Sequence, residues 1–540
     1  MLPAPKTRVV RSDDHVVVVG AGIAGLATAI RLAAQGVAVT VVESAEHPGG
    51  KIRTVLAAGK PVDSGPTVVT LRAVFDELFD IAGTRTEDHL TFRPAEILAR
   101  HAWSATERLD LFADFERSAD AVAAFAGPRE AAHFRSFHEQ AARVYRTLDR
   151  SFMRAPRPSP FGLTLGGGLA GARDLLATQP FSTLFDVLSR QFEDPRLRQL
   201  FARYATYCGT SPYLAPATLT LIAHLEQEGV WTIDGGMQRL PEALAAVARD
   251  LGIGFRLGAQ VSSIDTAGGA ASGVRLASGE ALAADAVVFC GDVSALGTGL
   301  LGPSVARAAP ATEPASRSLS ALTQSLVAET DGFPLVHHNV FFSSDYAGEF
   351  ADLVDRRRLP RTPTAYLCAQ DRGAQDRGAQ DRGAQDRGAS IEGTAASVGE
   401  ERLFLIINAP ATGDTEDFRS EETERCLDRA YALMARCGLT VRPSPDGCVT
   451  TTPADFAHRF PGTGGAIYGP AALGWKASFK RHGTTTAIPG LYLAGGSVHP
   501  GPGIPMVALS GKLAAERVMA DLTSRRRFHR AAMSGGTSTR

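Results

Sequence analysis

The sequence predicts an α/β protein: a Rossmann-like dinucleotide-binding domain whose segments are interleaved with a second, α+β part. Three observations carry this prediction. Val16 to Val19 are four consecutive valines that run directly into Gly20-Ala21-Gly22-Ile23-Ala24-Gly25. The stretch AGLATAIRLAAQG then reads as a helix, and VAVTVVE as a second strand closing on Glu43. Finally, 540 residues are more than one hydrophobic core usually serves.

A short β-branched run suits a strand buried on both faces, and residues 15 to 43 have the length and order of one βαβ unit. In the glycine fingerprint the first glycine permits the tight turn and the second lets a pyrophosphate approach the backbone. The third allows close helix-to-strand packing, while the helix N-terminus favours the anion. Glu43 follows Gly25 by eighteen residues, where a carboxylate accepts hydrogen bonds from ribose hydroxyls. A second literal match, Gly166-Gly167-Gly168-Leu169-Ala170-Gly171, follows PSPFGLTL rather than a strand and has no acid closing a partner strand. One bound dinucleotide is therefore expected.

Residues 72 to 230 alternate amphipathic stretches such as RAVFDELFDIAG with a Pro/Gly-rich interruption at 155–171, the pattern of a mainly helical insertion. FRLGAQVSSIDTAGGAASGVRLASGEALAADAVVFCGD predicts a β-meander that returns to a parallel strand at VVFC. Four copies of AQDRG run from Ala369 to Gly388 without a large apolar residue, which predicts a surface loop with no chemistry. RLFLIINAP reads as a strand and EETERCLDRAYALMARCG as the helix after it. The nucleotide domain is expected over 15–100, 229–310 and 471–523. A mainly helical substrate- and membrane-contact segment falls at 101–228, a substrate domain at 311–470 and a disordered basic tail at 524–540.

Lys and Arg total 56 against 57 Asp and Glu, so no global field draws the chain to nucleic acid, which is not an expected partner. Six cysteines, Cys208, Cys290, Cys368, Cys426, Cys437 and Cys448, include no CxxC pair. That spacing argues against a zinc site, a redox dithiol or a secreted disulfide framework, and no metal is expected. The opening MLPAPKTRVVRSDD has no apolar signal core, and glycines with Arg31 and Gln35 break the apolar stretch from His15 to Val42. The expected location is peripheral, on the cytoplasmic face of the cell membrane, without a signal peptide or spanning helix.

After Glu43, His47-Pro48-Gly49-Gly50-Lys51 leads through IRT to Asp63-Ser64-Gly65-Pro66-Thr67. Here the chain resembles the amine-oxidase-like flavoproteins, in which a GG with a basic residue lies along the FAD pyrophosphate and ribityl chain. The resemblance covers about residues 15–520. It sharpens to the carotenoid (phytoene) desaturases at YCGTSPYLAPATL (Tyr207 to Leu219), EGVWTIDGGMQRLPEAL (Glu228 to Leu244), VHHNVFFSSDY (Val336 to Tyr346) and LYLAGGSVHPGPGIPMVALSG (Leu491 to Gly511). PTAYLCAQDRG, FPGTGGAIYG and GWKASFKR bring it closest to the bacterial hydroxyneurosporene-type 3,4-desaturases. The expanded AQDRG run departs from the family, which keeps that segment short.

The resemblance implies FAD and a fold of the amine-oxidase/phytoene-desaturase type. Carried over position by position, Gly20, Ala21, Gly22, Ile23, Ala24, Gly25, Glu43, Ser44, Gly50 and Lys51 would hold the ADP half and ribityl chain, and Val261 would meet adenine. Gly65, Pro66 and Thr67, with Gly496, Ile504, Pro505 and Met506, would flank the ribityl and isoalloxazine. The implied substrate is an acyclic carotenoid, most specifically a 1-hydroxycarotenoid desaturated at C3–C4, with oxygen or a quinone as electron acceptor. It would enter from lipid through an apolar mouth placed at Pro160 to Phe185. Arg203, Tyr204, Asp292, His337, His338 and His499 are candidates for holding a polar terminus or removing a proton. Three alternatives stay open: a carotene isomerase of the same fold, a soluble amine oxidase, and a non-enzymatic binder of lipidated proteins resembling the GDP-dissociation inhibitors.

Overall fold

The computed structural model describes residues 14–156, 178–179, 181–372, 399–418, 421–474 and 481–534. The second glycine match at 166–171, most of the expected mouth at 160–185, most of the AQDRG run and most of GWKASFKR lie outside those residues.

Strand β1 (His15–Val19) has Val16, Val17 and Val18 fully buried because it lies at the centre of a parallel sheet. Helix α1 (Ile23–Ala33) follows, then β2 (Ala38–Val42), which pairs with β1 from His15↔Ala38 to Val19↔Val42. The turn between β1 and α1 needs its third glycine for space: a Cβ on Gly25 would stand 1.9 Å from the Gly20 carbonyl oxygen. Helix α2 (Ala73–Ile81) packs against α1.

The chain then leaves this layer. Strands β3 (Ile97–Ala102) and β4 (Arg108–Phe112) form a hairpin that belongs to a different sheet. The expected boundary at residue 100 is therefore corrected, since β3 spans it and has already changed layer. Alternation of apolar and polar residues signals a strand but does not say which sheet receives it. Helices α3 (Phe115–Ala126), α4 (Pro128–Leu148), α5 (Leu184–Gln191), α6 (Pro195–Ala202) and α7 (Leu221–Gln227) make the helical part. Their shared core includes Phe134, Phe137, Phe192 and Phe201, all buried, with the Phe192 and Phe201 rings stacked at 5.1 Å.

Helix α8 (Arg239–Asp250) brings the chain back onto α1, and β5 (Gly254–Arg256) extends the first sheet beside β2. The expected meander is β6 (Val261–Ala267), β7 (Ala270–Leu276) and β8 (Ala281–Ala283), and β9 (Ala286–Phe289) returns parallel to β1. A second sheet is built from β10 (Ser320–Asp331), β11 (His338–Phe341), β12 (Ala365–Ala369), β13 (Glu401–Ala409) and, after helix α9 (Glu421–Arg436), β14 (Thr440–Thr451). Its order is β14-β10-β13-β12-β11-β3-β4, antiparallel except where β11 runs parallel to β3. Strand β15 (Leu491–Leu493) completes the first sheet, in the order β15-β9-β1-β2-β5, and α10 (Ile504–Ser534) packs on α1.

Two further expectations change. Helix α10 continues to Ser534, so the tail expected to be disordered from 524 is helical over its first part; the Arg525 guanidinium donates to the Asp285 carbonyl at 3.1 Å and ties it down. The first AQDRG copy is also no idle loop. Gln370 accepts the Asp63 N–H at 3.0 Å and donates to the Asp63 carbonyl at 2.8 Å. Asp371 accepts the Arg402 N–H at 2.8 Å and pairs with its guanidinium, while Arg372 donates to both oxygens of buried Glu401 at 2.8 Å. Position in a repeat conceals such contacts, because every copy looks alike in sequence.

Candidate active site

A cavity of about 1210 Å³ runs between the two sheets, from the glycine fingerprint to the helical part. One end is set by local sequence. Ala21 N–H donates to Glu43 Oε2 at 2.7 Å, and Ala45 N–H and the Ser44 hydroxyl donate to Oε1 at 2.9 and 3.1 Å, which fixes the carboxylate at the end of β2. The turn at Pro48 to Lys51 presses on the fingerprint: Gly49 N–H donates to the Ala21 carbonyl at 3.0 Å, and a Cβ on Gly50 would lie 3.3 Å from Gly22 Cα. Gly22, Ile23 and Ala24 line the cavity with the first turn of α1, whose amides have no carbonyl four residues earlier to serve. No acidic residue stands in that turn to compete with an anion.

These features fit a dinucleotide. The helix end and closely packed glycines suit a pyrophosphate, and Glu43 with Val261 and Ala259 beside it suits an adenosine. The cavity also exceeds the roughly 300–1,000 Å³ of a site for one small ligand, leaving room for a second molecule. Of the residues expected to touch the cofactor, Gly20, Gly22, Ile23, Ala24, Glu43, Ser44, Gly50, Lys51, Gly65, Pro66, Thr67, Val261, Gly496, Ile504, Pro505 and Met506 form the cavity wall. Ala21 and Gly25 stand behind it, one holding Glu43 and the other making room for the turn.

Basic groups collect where the two sheets meet. Lys51 Nζ donates to the Ile467 carbonyl at 2.5 Å and lies over the Phe460 ring; burial pulls its pKa down. Arg481 donates to the carbonyls of Tyr468, Gly496 and Pro470, at 3.2, 2.6 and 2.8 Å, holding the C-terminal glycine loop in place. Arg53, lowered to about 10 by burial and then by Arg459, lines the same wall as Arg459. Asp292 also reaches the wall, its Oδ1 accepting Ser294 N–H at 3.0 Å. Arg53, Arg459 and Arg481 were not expected at the site; Arg53 stands two residues beyond Lys51 in the same turn and Arg481 closes the GWKASFKR stretch, whereas Arg459 has no such signal.

At the other end, polar groups from distant segments meet inside a mostly apolar wall. The Thr67 hydroxyl is 2.7 Å from the Tyr366 hydroxyl, which is 2.7 Å from His338 Nδ1. Burial, with His337 and Arg203 nearby, holds the His338 pKa well below its usual range, so the ring is neutral. Arg203, Tyr207 and Glu226 share the cavity wall. Arg203 Nη1 donates to the Tyr207 hydroxyl, Tyr207 donates to Glu226 Oε1 at 2.8 Å, and Tyr204 donates to Glu226 Oε2 at 2.6 Å. Burial works against the Arg203 charge, but Tyr207 and Glu226 outweigh it and raise its pKa.

Three of the sequence candidates are not on the wall. Tyr204 is buried behind Glu226, and His337 turns to Cys368, its Nε2 3.5 Å from Sγ. His499 packs edge-on against Phe152, its Nε2 2.9 Å from the Phe152 carbonyl, and burial drops its pKa to about 4. Its Gly/Pro surroundings give a histidine a structural job as readily as a catalytic one. Glu226 carries no local signal and Tyr366 only that of the PTAYLCAQDRG stretch, because their partners lie on other elements.

Comparison with known proteins follows the same lines. The family model of flavin containing amine oxidoreductases matches residues 23–519. The chain is 51% identical over 527 residues to a hydroxyneurosporene desaturase of Rubrivivax gelatinosus, covering 97% of each chain. It is 46% identical to a hydroxyneurosporene desaturase of Cereibacter sphaeroides, covering 95% of this chain and 99% of the relative. Among solved structures, an oxidoreductase from Methanosarcina mazei superposes with a TM-score of 0.56 at 18% identity, covering 93% of this chain and 100% of that one. A putrescine oxidase bound to putrescine gives 0.55 at 16% identity, covering 94% and 99%. These two likenesses speak for the fold alone.

Proposed function

The chain belongs to the flavin containing amine oxidoreductase family, and from that premise we propose that it is an FAD-dependent desaturase of acyclic carotenoids that acts on hydroxyneurosporene at C3–C4. The observation that carries this reading is the cavity itself. It joins a nucleotide-binding end to an apolar end walled by Leu148, Leu219, Ile222 and Leu225, as a hydrocarbon substrate beside a flavin requires. Bound FAD supplies the hydride acceptor.

The chain's own residues bind, align and exclude water. Gly20, Gly22, Glu43, Ser44 and Gly50 hold the ADP half, with Ala21 and Gly25 supporting them. Gly65 to Thr67 and Gly496, with Ile504 to Met506, flank the flavin ring. The apolar walls desolvate the reacting carbons, and His338 stays neutral beside them, its Nε2 without a partner among the described residues. No described helix is long and apolar enough to cross a membrane. Delivery from lipid is supported by Leu473, which lines the cavity and is 40% exposed, next to Leu214, whose carbonyl accepts Gly474 N–H at 2.9 Å. Phe181 is 74% exposed, and the carbonyl of the next residue, Ser182, accepts the Ala217 N–H at 3.0 Å. A peripheral seat on the cytoplasmic membrane face, with oxygen or a membrane quinone taking the electrons, completes the reading.

Purified protein reconstituted with FAD in liposomes carrying 1-hydroxyneurosporene, with oxygen or a quinone, tests it. The expected product has one more double bond, seen as a red shift and a loss of two mass units. A new geometric isomer at unchanged mass would replace the desaturase reading with an isomerase.

A further inference from the structure

The cluster of Arg203, Tyr207, Glu226 and Tyr204 is out of place in a cavity meant only for hydrocarbon. Burying an ion pair carries a desolvation cost of several kcal/mol per ion, repaid only where the hydrogen bonding is nearly complete. Here it is nearly complete. Both Glu226 oxygens are taken by tyrosine hydroxyls, and Arg203 Nη2 adds a contact to Oε1 at 3.4 Å. One capacity is left over. The Tyr207 oxygen accepts from Arg203 and donates to Glu226, so one lone pair remains. A free acceptor of this kind is what an alcohol hydroxyl satisfies and a methyl end does not. Of the three members on the cavity wall Tyr207 is also the most accessible, 37% exposed, whereas Arg203 and Glu226 are buried.

We propose that Tyr207, braced by Arg203 and Glu226, receives the tertiary C1 hydroxyl of the substrate and thereby selects hydroxylated carotenoid ends and sets their register. The inference rests on the desaturase reading and refines it. Position supports it as well as chemistry. C1 lies only two bonds from C3, so an anchor for this hydroxyl has to stand close to the reacting bond rather than at the far end of the cavity. The charge of Arg203 is felt at both Tyr366 and His338, and Tyr366 is bonded to Thr67 in the turn that would flank the flavin.

The experiment uses the FAD-loaded protein in liposomes with three substrates: 1-hydroxyneurosporene, its methyl ether, and neurosporene, which lacks the oxygen. Wild type is expected to favour the alcohol over neurosporene in kcat/KM by about tenfold or more, the worth of one buried hydrogen bond to a polar site. Tyr207→Phe, checked for retained FAD, is expected to bring that ratio close to one. The ether, unable to donate to Tyr207, should fall towards neurosporene in wild type, a readout that needs no variant. Equal turnover of alcohol, ether and neurosporene by wild type, or a Tyr207→Phe loss shared equally by all three, overturns the proposal while leaving the desaturase standing. A wild type that desaturates none of them overturns both.

Discussion

The two ends of the cavity are made in opposite ways. At the nucleotide end, Gly20 to Gly25 and Glu43 come from one short βαβ unit, and their geometry is fixed by neighbours in sequence. At the helical end, Arg203 follows α6, Glu226 lies on α7, and Tyr366 and His338 sit on adjacent strands of the second sheet. A local unit can be read, copied and moved as a block, whereas the second constellation exists only once three separate parts have packed. The first should therefore fail as loss of cofactor and the second as loss of fold.

Glu226→Leu is expected to test the second half of that contrast with the largest effect. It leaves Arg203 charged and buried without its counter-ion, which costs about 3–5 kcal/mol. Thermal denaturation should show a clear drop in Tm; an unchanged Tm would mean that this end is not structurally coupled. Gly25→Ala acts on the other end, pushing a methyl group into the Gly20 carbonyl. A penalty of about 3 kcal/mol should appear as FAD affinity more than about a hundredfold weaker, read from flavin absorbance per protein. Glu43→Ala removes a charged acceptor and should weaken FAD by about 2 kcal/mol, read from the same flavin absorbance.

A pH measurement sharpens the comparison further. Glu349 is fully buried in the second region, accepts the Thr364 hydroxyl at 2.6 Å, and is pushed up to about 7 by burial. Because the folded state keeps this proton longer than the unfolded chain, the contribution of Glu349 to stability is full below pH 4.5 and is lost as pH rises to about 7. The loss should be about 3 kcal/mol, and Glu349→Gln should flatten the slope. The smallest effect is expected from deleting residues 374–388, three of the four AQDRG copies. Loop-closure entropy changes by less than about 1 kcal/mol, so Tm should barely move.

The same division explains what was legible. The valine strand, the fingerprint, Glu43 and the meander leading to β9 announce themselves through periodicity and glycine spacing. The layer change at β3 does not, because its pattern suits either sheet and its partner β11 is far along the chain. Tyr207 stood out only as part of a family-like stretch, and Glu226, on an ordinary helical turn, gave no sign that it would be buried against Arg203. His499 shows the opposite failure: a conspicuous loop that yields a packing residue.

The anchored first copy of AQDRG has a consequence for how this gene can change over time. Gln370, Asp371 and Arg372 occupy one end of the connection, and Glu400, paired with Lys60 at 2.9 Å, stands at the other. Units of five residues gained or lost between those posts leave both attachments intact. A change in copy number thus costs neither attachment, while a substitution at Gln370, Asp371 or Arg372 removes one.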